Sequence, residues 1–166
     1  MNPPTYTLLA ESFRYPVPGR LEELERGLKS NQGDPRKGYA AFVKGIQKLP
    51  LTEWEELYTT TWDLNPVAAP YIGYQMWGEN YQRGNFMSNL NRELLTAGID
   101  SDGELPDHLI PVLRYFAAVS EPLPELLEIF PAAIERIGAA LKKADADNPY
   151  LHLLRTITAS ASRENA

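Results

Sequence analysis

Apolar residues recur every three or four positions along almost the whole chain, and no segment alternates convincingly with a period of two. That periodicity commits the chain to helices that each bury one stripe, with no sheet to bury them against. Prolines and glycines divide the pattern. Leu8, Leu9 and Phe13 suit a first helix over Thr5 to Phe13, stopped by Pro16 and Pro18. Leu21, Leu24 and Leu28 form a second stripe, ended by a turn at Asn31-Gln32-Gly33, and Asp34-Pro35 reads as the cap and first position of a third helix carrying Tyr39, Phe42, Val43 and Ile46. After Pro50, Thr52-Glu53-Trp54-Glu55 has the pattern of a capping box.

Further along, Pro70 to Trp77 reads as a short helix ended by Gly78, and Tyr81 to Ala97 as a longer one stopped at Gly98. Pro111 belongs in the first turn of the next helix, because deeper it would cost about 3 kcal/mol. Asp107 is then the expected cap, and Leu109, Val112, Leu113 and Phe116 the buried face. Leu126 to Leu141 keeps helical period across Pro131, where a kink or break is expected. Asn148-Pro149 opens a last helix burying Leu151, Leu154 and Ile157. The expected fold is all-α, a single globular bundle of about eight or nine helices over residues 1–159, with 160–166 a frayed tail.

The totals restrict function. With 43% hydrophobic residues, 166 residues can build one core without staples. There is no cysteine, so disulfides, thiolate metal sites and cysteine nucleophiles are excluded together. The net charge of −6, with an isoelectric point near 5.0, disfavours nucleic acid and anionic lipid and favours a basic partner. No apolar run of about 18 residues is present, so no membrane insertion is expected. The N-terminus lacks the basic start and apolar run of a secretory signal.

No catalytic constellation emerges. His108 and His152 lie far apart, outside any two-histidine metal spacing, and no phosphate loop or serine elbow is present. Asp63, flanked by Trp62 and Leu64, is the one carboxylate whose setting suggests a perturbed group, and loop bracing is the competing role. A hydrolase working through Asp63 and His108, dependent on a nucleotide or metal, is therefore one rival reading. A permanent structural subunit of a redox complex is another.

The segment from Tyr58 to Phe116 is instead rich in rings. Trp54 and Trp77 read as core. Tyr58, Tyr71, Tyr74 and Tyr81, interleaved with Gln75, Asn80, Arg83 and Asn85, read as a half-exposed groove, since a buried phenol needs a partner. Rigid rings with a polar fringe are what peptide-binding surfaces use. Arg83 is expected to anchor the loop after Gly78 by a bidentate bond to a carboxylate. Gly84 is expected to permit close helix contact.

Four blocks in this order resemble the redox-enzyme maturation chaperones of the NarJ/TorD/DmsD type, nearest the nitrate reductase delta-subunit branch. They are Leu8-Leu9 through Tyr15-Pro16; Tyr58-Thr-Thr-Thr-Trp62-Asp63-Leu64; Tyr71-Ile-Gly-Tyr74-Gln75-Met-Trp77-Gly78-Glu79 with Arg83-Gly84; and Glu104-Leu105-Pro106-Asp107-His108-Leu109. Gln75 stands where that branch usually has histidine, and Arg114 where a glutamate is common. The resemblance implies a TorD-like, cytoplasmic chaperone without enzymatic activity; separately, a monomer is the default expectation, with a domain-swapped dimer as the alternative. Its partner would be the catalytic subunit of a molybdenum oxidoreductase, held by its N-terminal leader while molybdopterin guanine dinucleotide is inserted, with no cofactor of its own. The expected contact residues are Tyr58, Trp62, Tyr71, Tyr74 and Trp77 for apolar surface, with Gln75, Arg83 and Pro106 beside them. Asp63, Glu104 and Asp107 are expected to meet basic residues of the client, Asp107 serving alternatively as a cap. His108, at a helix N-terminus, is expected to be neutral.

Overall fold

Proline and glycine punctuation divides the chain into nine α-helices among the described residues. The structure, a computed structural model, describes residues 3–31 and 36–164. In chain order these are α1 (Pro3–Ser12), α2 (Arg20–Ser30), α3 (Arg36–Gln47), α4 (Leu51–Tyr58), α5 (Ile72–Trp77), α6 (Tyr81–Thr96), α7 (Leu109–Ala118), α8 (Pro124–Ala144) and α9 (Tyr150–Glu164). One turn of π-helix, Thr59–Asp63, continues α4, and a 3-10 turn spans Pro66–Ala68. There is no strand among the described residues, only one isolated antiparallel bridge between Tyr71 and His108. The expected turn at 31–33 and the Asp34-Pro35 cap fall largely on 32–35, outside the described residues. The last helix runs through Glu164, past the point where the sequence suggests a tail.

Some helix ends follow residue chemistry directly. Gly98, at φ +67°, lets α6 close with paired bonds, Ile99 N–H to Leu94 O at 2.9 Å and Gly98 N–H to Leu95 O at 3.1 Å. Those are the two bonds of a Schellman stop. Asn80 caps α6 through Oδ1, which accepts from the amides of Gln82 and Arg83.

Two expectations fail, and one of the two alternatives at Pro131 is excluded. Thr52 caps nothing: α4 begins at Leu51, directly after Pro50, whose extended backbone occupies the cap position. Pro131 does not break α8, which is one helix of 21 residues. Asp107 is not the cap of α7; His108 is, with Nδ1 accepting from the Ile110 amide at 3.0 Å.

One apolar cluster runs through the molecule. Helix α1 packs on α7, α3 on α9, α9 on α8, and α8 on α5, which in turn meets α6. Tyr150 sits at the centre, fully buried. Phe13, Phe42, Tyr58 and Trp62 surround its ring with centroids 5.0–6.4 Å away. Its hydroxyl accepts from Trp54 Nε1 at 3.1 Å, which satisfies an indole donor that burial would otherwise strand. Asn148 locks the start of α9 by accepting from the Tyr150 amide while donating to Thr61 Oγ1 at 2.8 Å, so the π-turn is tied to the last helix.

Tyr150→Phe keeps the ring and removes only the acceptor. It is expected to cost about 1–3 kcal/mol in urea unfolding, the penalty of an orphaned buried donor. An unchanged midpoint would mean that the Trp54 indole finds another acceptor.

Candidate functional site

Helix α5 is only six residues long, too short to persist alone, so its position depends on what grips its ends. Gln75 Nε2 donates to the carbonyls of Val67 and Ala69, holding the preceding loop, and Arg136 Nη1 of α8 donates to the Gln75 carbonyl at 2.6 Å. At the other end, the segment before α7 crosses the start of α5. Ile72 N–H donates to Asp107 O at 2.8 Å and Leu109 N–H to Pro70 O at 3.0 Å.

The Asp107 side chain completes that crossing. It is wholly buried, yet every oxygen is used. Oδ2 accepts from the Gly73 amide at 3.1 Å and Arg83 Nε at 3.0 Å, and Oδ1 accepts from Arg83 Nη2 at 3.2 Å. The fork predicted for Arg83 is therefore present, and it binds a carboxylate 24 residues away. Burial by itself lowers the Arg83 pKa, but the bonds and charge of Asp107 and the charge of Glu79 reverse the shift, and the guanidinium stays charged. Gly73 makes the approach feasible. A Cβ there would lie 2.9 Å from Asp107 Oδ2 and 3.0 Å from Phe86 Cδ1. Gly84, in contrast, is exposed with open space around it and supports no close contact.

The third edge of Arg83 faces outward. Nη1 donates to Glu79 Oε1 at 3.0 Å, and the Glu79 side chain is 82% exposed. The guanidinium carbon lies 5.4 Å from the Tyr71 ring centroid and 5.5 Å from that of Tyr74, a cation–π arrangement. These rings and Arg83, with Pro66, Ala69, Glu79 and Leu105, line an open cleft of about 320 Å³. Beside it in the chain, Leu64 and Val67 are 71% and 68% exposed. Tyr71 donates to Glu104 Oε2 at 3.4 Å. Burial lifts the Glu104 carboxyl above its usual range; the Tyr71 bond opposes that, and the charges of Asp63 and Asp102 add to it.

The structure divides the expected contact residues. Tyr71, Tyr74, Arg83 and Glu104 come together at or beside the cleft, and Asp63 is exposed. Gln75 is spent on the loop. Pro106 is half-buried in the turn that leads to His108, and Trp77 is half-buried against Phe86, with centroids 5.4 Å apart. Four expectations need correction because their side chains are sealed inside. Tyr58 donates to the Phe13 carbonyl at 2.9 Å. Trp62 packs edge-on against Phe13 and Tyr150. Asp107 and His108 are buried. None of the four can touch a partner in this conformation. Leu105 in the cleft wall and the exposed Leu64 and Val67 carry no sequence signal beyond their places beside Asn65-Pro66 and Pro106.

His108 is held neutral, as its position suggests. Burial pushes its pKa down to about 4, with Asp102 opposing weakly. Its Nδ1 is an acceptor in the cap, its ring stands edge-on to Tyr71 at 5.2 Å, and Nε2 is 4.0 Å from Glu104 Oε2. No hydrogen bond joins it to Asp63, and no cluster of three or more metal-ligating side chains exists among the described residues. No family model matches this chain, and no curated protein matches it.

Two measurements probe the site. Asp107→Asn removes the buried counter-charge of a buried guanidinium and is expected to cost about 3–5 kcal/mol in urea unfolding, whereas Glu79→Gln, at an exposed pair, is expected to cost under about 1 kcal/mol. Equal losses would put the anchor in the wrong pair. The second concerns acid. Because the folded pKa of His108 lies below the unfolded value of 6.5, the unfolded chain binds the extra proton. The contribution is complete above about pH 6.5 and is lost as pH falls toward about 4, on the order of 3 kcal/mol in all. Glu104, raised in the folded state, acts in the opposite direction. His108→Asn keeps a cap acceptor and should flatten the loss between pH 6.5 and 4; an identical pH profile would assign the acid sensitivity elsewhere.

Proposed function

We propose that this protein is a chaperone that binds a segment of another polypeptide in the cleft between Tyr71, Tyr74 and Leu105, and that it acts by holding rather than by chemistry. The observation that carries the reading is the cleft's composition. Two tyrosine rings, Pro66, Ala69 and Leu105 offer apolar wall, exposed Leu64 and Val67 flank Asn65-Pro66 in the chain, and the carboxylates of Glu79 and Glu104 stand at its edge. Apolar anchors framed by acid suit one face of an amphipathic segment that also carries lysine or arginine. The chain's charge of −6 favours the same partner at longer range.

The motif blocks described above narrow the proposed client. On the resemblance they carry, the partner is the catalytic subunit of a molybdenum oxidoreductase, bound through its N-terminal leader in the cytoplasm until molybdopterin guanine dinucleotide is in place. The chaperone contributes no cofactor of its own to that step. In keeping with this, no helix among the described residues is long and apolar enough to cross a membrane.

Isothermal titration with a synthetic peptide of the leader from the neighbouring molybdoenzyme subunit tests the proposal. Tyr74 and Leu105 are not core residues, so Tyr74→Ala and Leu105→Ala should leave thermal unfolding nearly unchanged. Each should weaken binding by roughly tenfold, or about 1.4 kcal/mol. Wild-type affinity in both folded variants would remove the cleft from the function.

A further inference from the structure

A second open groove lies between α8 and α9, away from the residues of the cleft. It measures about 350 Å³ and has a floor of Ile134, Leu151 and Leu154, with Gly138 and Ala139 along its α8 side. The shallow wall at Gly138 is real space: a Cβ there would meet nothing within 4 Å. Glu135, Lys142 and Arg155 line the groove and are exposed. None of them forms an ion pair or hydrogen bond among the described residues. Elsewhere in the molecule the arginines at 14, 20, 83 and 114 all have carboxylate partners.

The spacing of these groups is informative. Glu135 and Lys142 are two helical turns apart on one face of α8, about 10 Å along the axis. The midpoint between them falls between Gly138 and Ala139, where the helix has least bulk. A helix crossing there antiparallel, about a two-fold axis, would bring an acid opposite Lys142 and a base opposite Glu135 if it carried the same sequence. This chain carries that sequence. Such a contact is self-complementary, and every polar match occurs twice. A shallow crossing angle near 20° keeps both ends of the contact apposed.

We infer that this groove is a contact between two copies of the chain, with α8 of each copy lying antiparallel in the α8–α9 groove of the other. Glu135 of one copy pairs with Lys142 of the second, and the reverse pair forms across the axis. Arg155 on α9 adds a cation beside the Glu135 of the second copy. The floor is already buried in one copy, so the contact covers the half-buried Gly138 and the exposed Ala139 and rests on the paired charges. Because the patch is confined to two helix faces, the association is weak, with a dissociation constant expected in the range of about 10–500 µM. The inference stands independently of the cleft and its client.

Charge exchange tests it on the full chain. Wild type should show concentration-dependent dimerisation by sedimentation velocity up to about 1 mM. Glu135→Lys alone and Lys142→Glu alone each place like charges opposite one another twice, and both should remain monomeric at the same concentrations. The double variant Glu135→Lys/Lys142→Glu should dimerise again. An equimolar mixture of the two single variants should also dimerise, because each then meets its complement. These positions are exposed, so thermal unfolding serves as the control for intact monomers. A monomeric wild type at about 1 mM, dimers indifferent to the single exchanges, or a mixture that stays monomeric would each overturn the inference. A monomeric wild type that loses a copurifying protein on Gly138→Leu would assign the groove to that protein and overturn it as well.

Discussion

The buried fork between Arg83 and Asp107 is the constraint on which the cleft depends. The Asp107 side chain joins three segments at one point: the start of α5 through Gly73, the first turn of α6 through Arg83, and its own loop before α7. A buried ion pair adds little net stability over apolar residues of the same volume, but breaking one half is expensive. Its contribution here is positional. The guanidinium is fixed on one side by the carboxylate and on the other by two tyrosine rings, so Tyr71 and Tyr74 stand at set distances around it. A lysine could supply the charge but not the two-point geometry.

The helical architecture was legible because it rests on local information. Period, proline and glycine located every helix from α4 onward to within a few residues. Gly98 and Asn148-Pro149 marked real ends because their effects reach only a few residues along the chain. The departures from the local reading have different causes. Asp107 and His108 both have cap chemistry, and a local reading chooses the aspartate. The aspartate is instead drawn to an arginine 24 residues earlier, leaving the cap to histidine. Thr52 matches a capping pattern, but Pro50 already fixes the backbone one position before the helix begins. Pro131 removes one hydrogen bond, yet Leu126, Ile129, Phe130, Ala133 and Ile134 are buried on both sides of it, and that packing carries the helix through.

The site was less legible for a related reason. The tyrosines of the ring-rich segment are alike in sequence but divide in space. Tyr58 is buried because its hydroxyl reaches the carbonyl of Phe13, 45 residues away, whereas Tyr71 and Tyr74 stay half-exposed around Arg83. The Tyr58 partner is a main-chain oxygen just past the end of α1, and the Tyr71 partner a carboxylate before α7, which no spacing rule foretells. Gly73 was similarly hidden: it needs its missing Cβ only because a carboxylate from another segment rests against it. Leu64, Val67 and Leu105 read as ordinary apolar residues, and only the packed structure leaves them uncovered.

The division between a fixed floor and a loose rim has a consequence for how a holding protein would work. The floor is preorganised by Asp107, Gly73 and the two rings, so on the proposed function the ordering cost of binding would fall mainly on the incoming polypeptide. The rim carboxylates are partly or largely exposed, and charges in that setting speed encounter more than they strengthen the complex. A partner held this way would be captured quickly and retained mainly by a few apolar contacts. Release then requires only that the segment find a better burial for those same apolar groups in its own folded protein, with no chemical step and no rearrangement of the helices beneath the cleft.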